Sequence, residues 1–149
     1  MKIDPYKNKE RYIAWKKAVE MGIPGVSKEN SDILLRYLRD MEMGLNVASK
    51  NVKGGRGHSR LNNLKYRMLF FAIKFSELYG LNDVTSINES QLIEFFSKMS
   101  SGELKKEDGQ SYRSIESFAK VFKAFWHWHM KISRKAGIDI PEITADLDT

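Results

Sequence analysis

From Leu61 to Leu78 the apolar residues return at every third or fourth position: Leu61, Leu64, Met68, Phe71, Ala72, Phe75 and Leu78. Arg60, Asn63, Arg67 and Lys74 fall on the other side of the same periodic run. A stripe of that period buries itself only when the segment is a helix lying against other elements, so one face builds core and the opposite face is basic. The spacing predicts a helix over 59–79.

The same reading predicts four more helices. One covers about 7–19, with Tyr12, Trp15, Ala18 and Val19 on one side, and ends in the breaker Met21-Gly22-Ile23-Pro24-Gly25. A second starts from a Ser27 cap and reaches Met43, burying Ile33, Leu34, Tyr37, Leu38 and Met41, with Gly44 as its stop. Asn88 with Gln91 forms a capping box that opens a helix to about Met99, burying Leu92, Phe95, Phe96 and Met99. The last is read from Ser111 to Lys135, with Ile115, Phe118, Ala119, Phe122, Phe125, Trp126 and His129 in one stripe and Trp128 off it. After Gly137 the segment 138–149, with Pro141 and four acids, reads as an extended tail. Proline is scarce and β-branched runs are short, so the expected fold is all-α, a compact bundle of four to five helices.

The apolar share of 42% supplies one ordinary core, and a chain of 149 residues needs no covalent staple. The absence of cysteine removes thiol nucleophiles and Cys-ligated metal sites and suits a reducing compartment. No apolar leader follows the charged start, and no apolar run approaches the ~20 residues that cross a bilayer, so the expectation is a soluble, cytoplasmic protein without membrane contact.

The net charge of +6 is modest, but it is blocked along the chain. No acid occurs in the 34 positions between Glu42 and Glu77, where an even spread of the 19 acids would place about four; seven cations stand there instead, Lys50, Lys53, Arg56, Arg60, Lys65, Arg67 and Lys74. A second basic stretch holds Arg113, Lys120, Lys123, Lys131, Arg134 and Lys135 against Glu116 alone. Both stretches lead from a loop into a helix start, where unpaired backbone N–H groups already favour an anion. At the first, Ser59 is expected to cap the helix and donate to a phosphate, with Asn62 and Asn63 adding polar reach. At the second, Ser111, Tyr112, Arg113 and Ser114 repeat the arrangement. Two cationic helix openings brought to one side of the molecule would suit the backbone of a duplex.

Catalytic patterns are weak. His127 and His129 stand two apart on a helix and so point to opposite sides rather than at a shared metal. The acids lie mostly in solvated helix faces, as Asp32, Asp40 and Glu42 do. Gly54-Gly55-Arg56-Gly57 lacks the Lys-Ser/Thr and the preceding strand of a phosphate-binding loop. The aromatic run around Phe122 and Trp126 has core periodicity rather than that of a stacking platform. The Met21–Val26 turn is faintly similar to the glycine-rich hairpin of helix–hairpin–helix DNA binders, although two glycines in six residues also make an ordinary interhelix turn. No cofactor and no metal site is expected.

Several stretches together resemble a family. They are Leu34–Glu42, Ser59-Arg60-Leu61 with Leu64 and Phe71, Val84–Glu89 ahead of a short helix, Ser111–Ser114, and Phe122–Trp128. In this order they are similar, over 27–130, to the N-terminal core-binding domain of tyrosine recombinases of the phage-integrase family, closest to archaeal integrase-like versions. The resemblance implies a SAM-like helical module that grips one face of duplex DNA while a catalytic domain takes the other. Carried over, it points to Arg60, Asn63 and Arg67 on the third helix and to Arg113, Lys120 and Lys123 on the fifth.

The family's catalytic arginines, lysine, His-x-x-Arg and tyrosine belong to a following domain, so the resemblance implies no catalytic residue here. None of Tyr6, Tyr12, Tyr37, Tyr66, Tyr79 or Tyr112 takes the nucleophile's role. The organisation it suggests is an N-terminal helix and turn at 1–26, a DNA-binding domain at 27–136, and an acidic linker toward a catalytic domain at 137–149. The expected partners are double-stranded DNA, that catalytic domain, and other recombinase subunits assembled on the site. The candidate DNA-binding set is Lys50, Lys53, Arg56, Ser59, Arg60, Asn63, Arg67, Ser111, Arg113, Lys120 and Lys123. The competing expectation from charge alone is a helical protein-interaction module whose basic face docks an acidic partner.

Overall fold

The computed structural model describes residues 7–45 and 57–148 and contains the five expected helices, with no β-strand among the described residues. They are α1 (Asn8–Ala18), α2 (Lys28–Glu42), α3 (His58–Tyr79), α4 (Glu89–Ser101) and α5 (Ile115–Lys135), with a 3-10 turn at Val84–Ser86. The chain divides into two compact units, Met1–Val84 and Thr85–Thr149. This division separates neither the N-terminal helix nor the C-terminal tail, because each packs within the unit it belongs to.

In the first unit, the Ser27 hydroxyl accepts the Asn30 N–H at 3.1 Å and so opens α2 as expected, satisfying one of the donors a helix start leaves unpaired. The same hydroxyl donates to the Asn82 carbonyl, tying that helix start to the chain after α3. α3 ends where Gly80 takes a φ of 66°; Gly80 N–H reaches the Ser76 carbonyl at 3.0 Å and Leu81 N–H the Phe75 carbonyl at 3.3 Å, a glycine-closed end of Schellman type. Both α1 and α2 pack on α3. Their buried residues include Tyr12, Leu34, Tyr37, Leu38 and Met41, and α3 buries Leu61, Leu64, Met68, Phe71, Ala72 and Phe75. Leu78, placed in the stripe by its spacing, is 39% exposed, because it lies in the helix's last turn.

Two polar contacts fix how these helices meet. Buried Asn62 on α3 donates through Nδ2 to the Asn8 carbonyl at 3.0 Å. Buried Asn30 on α2 accepts the Val84 N–H at 2.8 Å. An ion pair, Lys16 Nζ to Glu42 Oε2 at 2.7 Å, joins α1 to α2. Burial, with the charge of Glu42 in addition, pushes the Tyr12 hydroxyl up to about 12.

In the second unit, the capping box stands as the sequence predicts: Asn88 Oδ1 accepts the Gln91 N–H at 2.8 Å and Gln91 Oε1 accepts the Asn88 N–H at 3.1 Å. α4 ends at Gly102, which has a φ of 79°. α4 packs on α5, and the two helices bury Phe95, Phe96, Ala119 and Phe122. Trp128, read as lying off the stripe, is 1% exposed, and its ring centroid is 5.7 Å from that of Phe125. With buried Val121 one heptad before it, Trp128 widens the buried arc of α5 to about half the circumference at about 100° per residue.

The tail differs from its expectation more than any helix. It has no regular secondary structure, but it is folded back along α5: Trp126 Nε1 donates to the Pro141 carbonyl at 2.9 Å, and Ile143, Thr144 and Leu147 are buried. Apolar Ile143 and Leu147 gain more from an apolar surface than from water, and that overrides the linker-like composition.

Candidate nucleic-acid interface

α3 begins one residue earlier than expected. Gly57 is its N-cap and offers no side chain, so Ser59 sits inside the first turn, exposed, and does not cap. Only the capping role is thereby corrected; the Ser59 hydroxyl stays exposed in the first turn. No acid lies in this first turn to offset the helix's positive end.

On the outer face Asn63 organises the basic residues. Its Oδ1 accepts from Arg60 Nη1 and from Arg67 Nε, both at 3.3 Å. Spacings of three and four bring the three side chains together on one side of a helix, and a neutral amide oxygen orients two guanidinium groups without neutralising them. Burial, with the charge of Arg60 added to it, holds the Arg67 guanidinium below its ordinary value. Arg60 is exposed and has no carboxylate partner among the described residues. One turn and more beyond, Lys74 is taken up by Glu77 at 3.2 Å and contributes little to an anion site.

Asn62, expected to add polar reach outward, faces inward instead and joins α1. Lys65 also leaves the basic face: its Nζ lies 4.9 Å from the centroid of the Trp15 ring and 5.5 Å from that of Tyr66, and donates to Asn62 Oδ1 at 3.2 Å. The contacts of Asn62 with Asn8 and of Lys65 with Trp15 are not visible in a one-dimensional charge count, since both depend on α1 lying against α3. Lys50, Lys53 and Arg56 lie outside the described residues.

In the second unit the expected opening of α5 at Ser111 is corrected. Ser111 forms an antiparallel bridge with Lys105, and Lys106 N–H reaches the Gln110 carbonyl at 2.9 Å, so 105–111 is a tight reversal. The helix starts only at Ile115, after Ser114, whose φ of 55° breaks the path and whose side chain makes no cap. Ser111 and Arg113 are exposed but precede the helix rather than forming its first turn. Within α5, Lys120, Lys123, His127, Lys131 and Arg134 share one side at helical spacing. Lys120 is exposed and Lys123 half-buried, and neither has an ion-pair partner among the described residues. His127, in the middle of that side, is paired with Glu142 from the tail.

The Thr144 hydroxyl and N–H both donate to Glu142 Oε1, the latter at 2.7 Å. Partial burial pushes the Glu142 carboxyl up, but the hydrogen bonds from Thr144 and His127 outweigh it and hold the group below the usual carboxylate range. His129 meets a different neighbour, Trp126, at 5.1 Å between ring centroids. No group of three or more metal-ligating side chains occurs among the described residues, and no helix described is long and apolar enough to cross a membrane.

In the Met21–Val26 turn, Gly22 N–H is taken by the Val19 carbonyl at 2.9 Å and Ile23 N–H by Ser31 Oγ at 3.0 Å. Two of the donors a phosphate would require there are thus occupied. The tail contact was missed by sequence reasoning; the signal was present in Ile143 and Leu147, apolar residues inside a segment judged by its acids.

No protein-family model, curated protein or solved structure matches the chain.

Proposed function

We propose that this chain is a duplex-DNA-binding module of the kind that tyrosine recombinases of the phage-integrase family use to grip their site, acting without catalysis of its own beside a separate catalytic domain. The observation that carries the reading is Asn63 holding exposed Arg60 and half-buried Arg67 side by side on the basic side of α3. Oriented guanidinium groups on a helix without intervening carboxylates suit phosphate oxygens, which accept from planar donors in pairs. Lys120 and Lys123 on α5, with Arg113 ahead of it, are the second set of phosphate contacts. Such contacts fix position on the duplex rather than sequence.

The test is a titration of labelled duplex DNA over a range of salt. Each phosphate neutralised contributes a slope of about −0.9 in log affinity against log salt, so six to eight contacts give a slope of about −5 to −7. Replacing Arg60 and Arg67 together by Glu should abolish binding at unchanged helicity. A slope near zero, or binding indifferent to that double charge reversal, defeats the proposal and favours an acidic protein as the partner.

A further inference from the structure

The first unit holds a second cationic cluster, which the outer face of α3 does not account for. Arg11 and Trp15 stand one helical turn apart on α1, and Lys65 rests its ammonium on the Trp15 ring at 4.9 Å. The contacts of Lys65 are two aromatic faces and the amide oxygen of Asn62, all electrically neutral. Neither Arg11 nor Lys65 has a carboxylate partner among the described residues. Burial first, and the neighbouring charge of Arg11 second, hold the Lys65 ammonium below its ordinary value. Two cations kept close without an acid repel each other, and an anion seated between them removes that cost.

Tyr66 indicates which anion. The residue is 63% exposed, and its ring centroid lies 5.5 Å from Lys65 Nζ. By helical spacing it stands on the crest of α3, with Lys65 on one flank and Asn63 with Arg67 on the other. A ring and hydroxyl beside paired cations match a nucleotide, in which a charged phosphate adjoins a flat base and a sugar. A carboxylate side chain would use the cations and leave the ring idle.

We infer that the α1–α3 seam is a phosphodiester-binding site, in which Arg11 and Lys65 hold one backbone phosphate and Tyr66 lies against the adjoining nucleoside. The inference rests on the nucleic-acid reading of the α3 face and extends the interface across the crest onto α1. α1 thereby becomes part of the binding surface rather than an appendage.

The experiment compares the salt dependence of duplex binding for the full chain and three variants, Arg11→Gln, Arg11→Gln with Lys65→Gln, and Tyr66→Ala, each checked for helicity. Loss of both seam cations should reduce the slope by about 0.9, the share of the one phosphate they hold, and Arg11→Gln alone, at an exposed position, should reduce it by part of that and weaken binding. Tyr66→Ala should weaken binding several-fold and leave the slope unchanged. If the unaltered chain binds DNA steeply and Arg11→Gln leaves both slope and affinity where they were, the seam is not a site and the α3 face stands alone. If the unaltered chain shows no salt-dependent binding, the nucleic-acid reading fails and the seam proposal with it.

Discussion

Trp126 Nε1 donates to the carbonyl of Pro141 at 2.9 Å, and through that bond the C-terminal segment is fastened to the longest aromatic run of the chain. An indole N–H buried beside α5 needs an acceptor, and the tail brings one. Trp126→Phe keeps most of the ring and deletes the donor. It should destabilise the protein by about 0.5–1.5 kcal/mol in urea unfolding, the usual net worth of one hydrogen bond, and should open 137–142 to limited proteolysis. Unchanged cleavage in that stretch would mean that burial of Ile143 and Leu147 holds the tail without the indole.

Glu142 makes the same contact sensitive to acid. Its folded-state carboxyl lies below the ordinary value of 4.5, so its contribution is complete above that pH and is lost as the pH falls toward the folded value. Stability measured by denaturant between pH 7 and pH 3 should therefore drop below about pH 4.5 more steeply in the unaltered chain than in Glu142→Gln. The variant should be the less stable of the two at pH 7. Parallel curves would show that the carboxylate contributes nothing through ionisation.

Asn63 acts through the arginines it orients. Asn63→Ala should weaken duplex binding by roughly 3- to 10-fold while leaving the salt slope unchanged, since both charges remain. Asn63→Asp should do more, because a carboxylate at that position neutralises what the amide only positions; the slope should fall by about one unit. Equal effects of the two variants would argue that Asn63 itself, rather than the orientation of Arg60 and Arg67, contacts the partner.

Asn30 is buried with its side-chain oxygen on the Val84 N–H at 2.8 Å. Asn30→Leu leaves that N–H without an acceptor inside the first unit, at a cost of about 1–3 kcal/mol. Thermal unfolding followed by circular dichroism should show the loss directly. A neutral result would mean that the backbone at Val84 finds water instead.

Local physics made the helices legible from the residues alone. A Ser27 hydroxyl or an Asn88–Gln91 pair satisfies helix N–H groups within a few residues, and apolar spacing needs no knowledge of what it packs against. The errors fell where local signals compete. Ser59 and Ser111 both resemble caps, yet Gly57 and Ser114 occupy the cap positions, because the backbone path before each helix decides which residue stands there.

The candidate site was legible only in part. Arg60, Asn63 and Arg67 could be placed on one face by counting, and the structure adds that one amide oxygen joins them. Lys65 counted as another charge of the same stretch, and Lys74 likewise. One rests on Trp15 and the other on Glu77.

The order of charges and apolar residues thus determined the helices and the basic side of α3, because helical geometry repeats every few residues and every partner in it is near in sequence. Contacts between distant residues were decided by tertiary packing alone: Asn8 against Asn62, Lys65 on Trp15, Pro141 under Trp126 and Glu142 on His127. Each is a choice among many acceptors, rings and charges of similar chemistry. Only the folded path of the chain, by bringing one of them within a few ångströms, makes that choice.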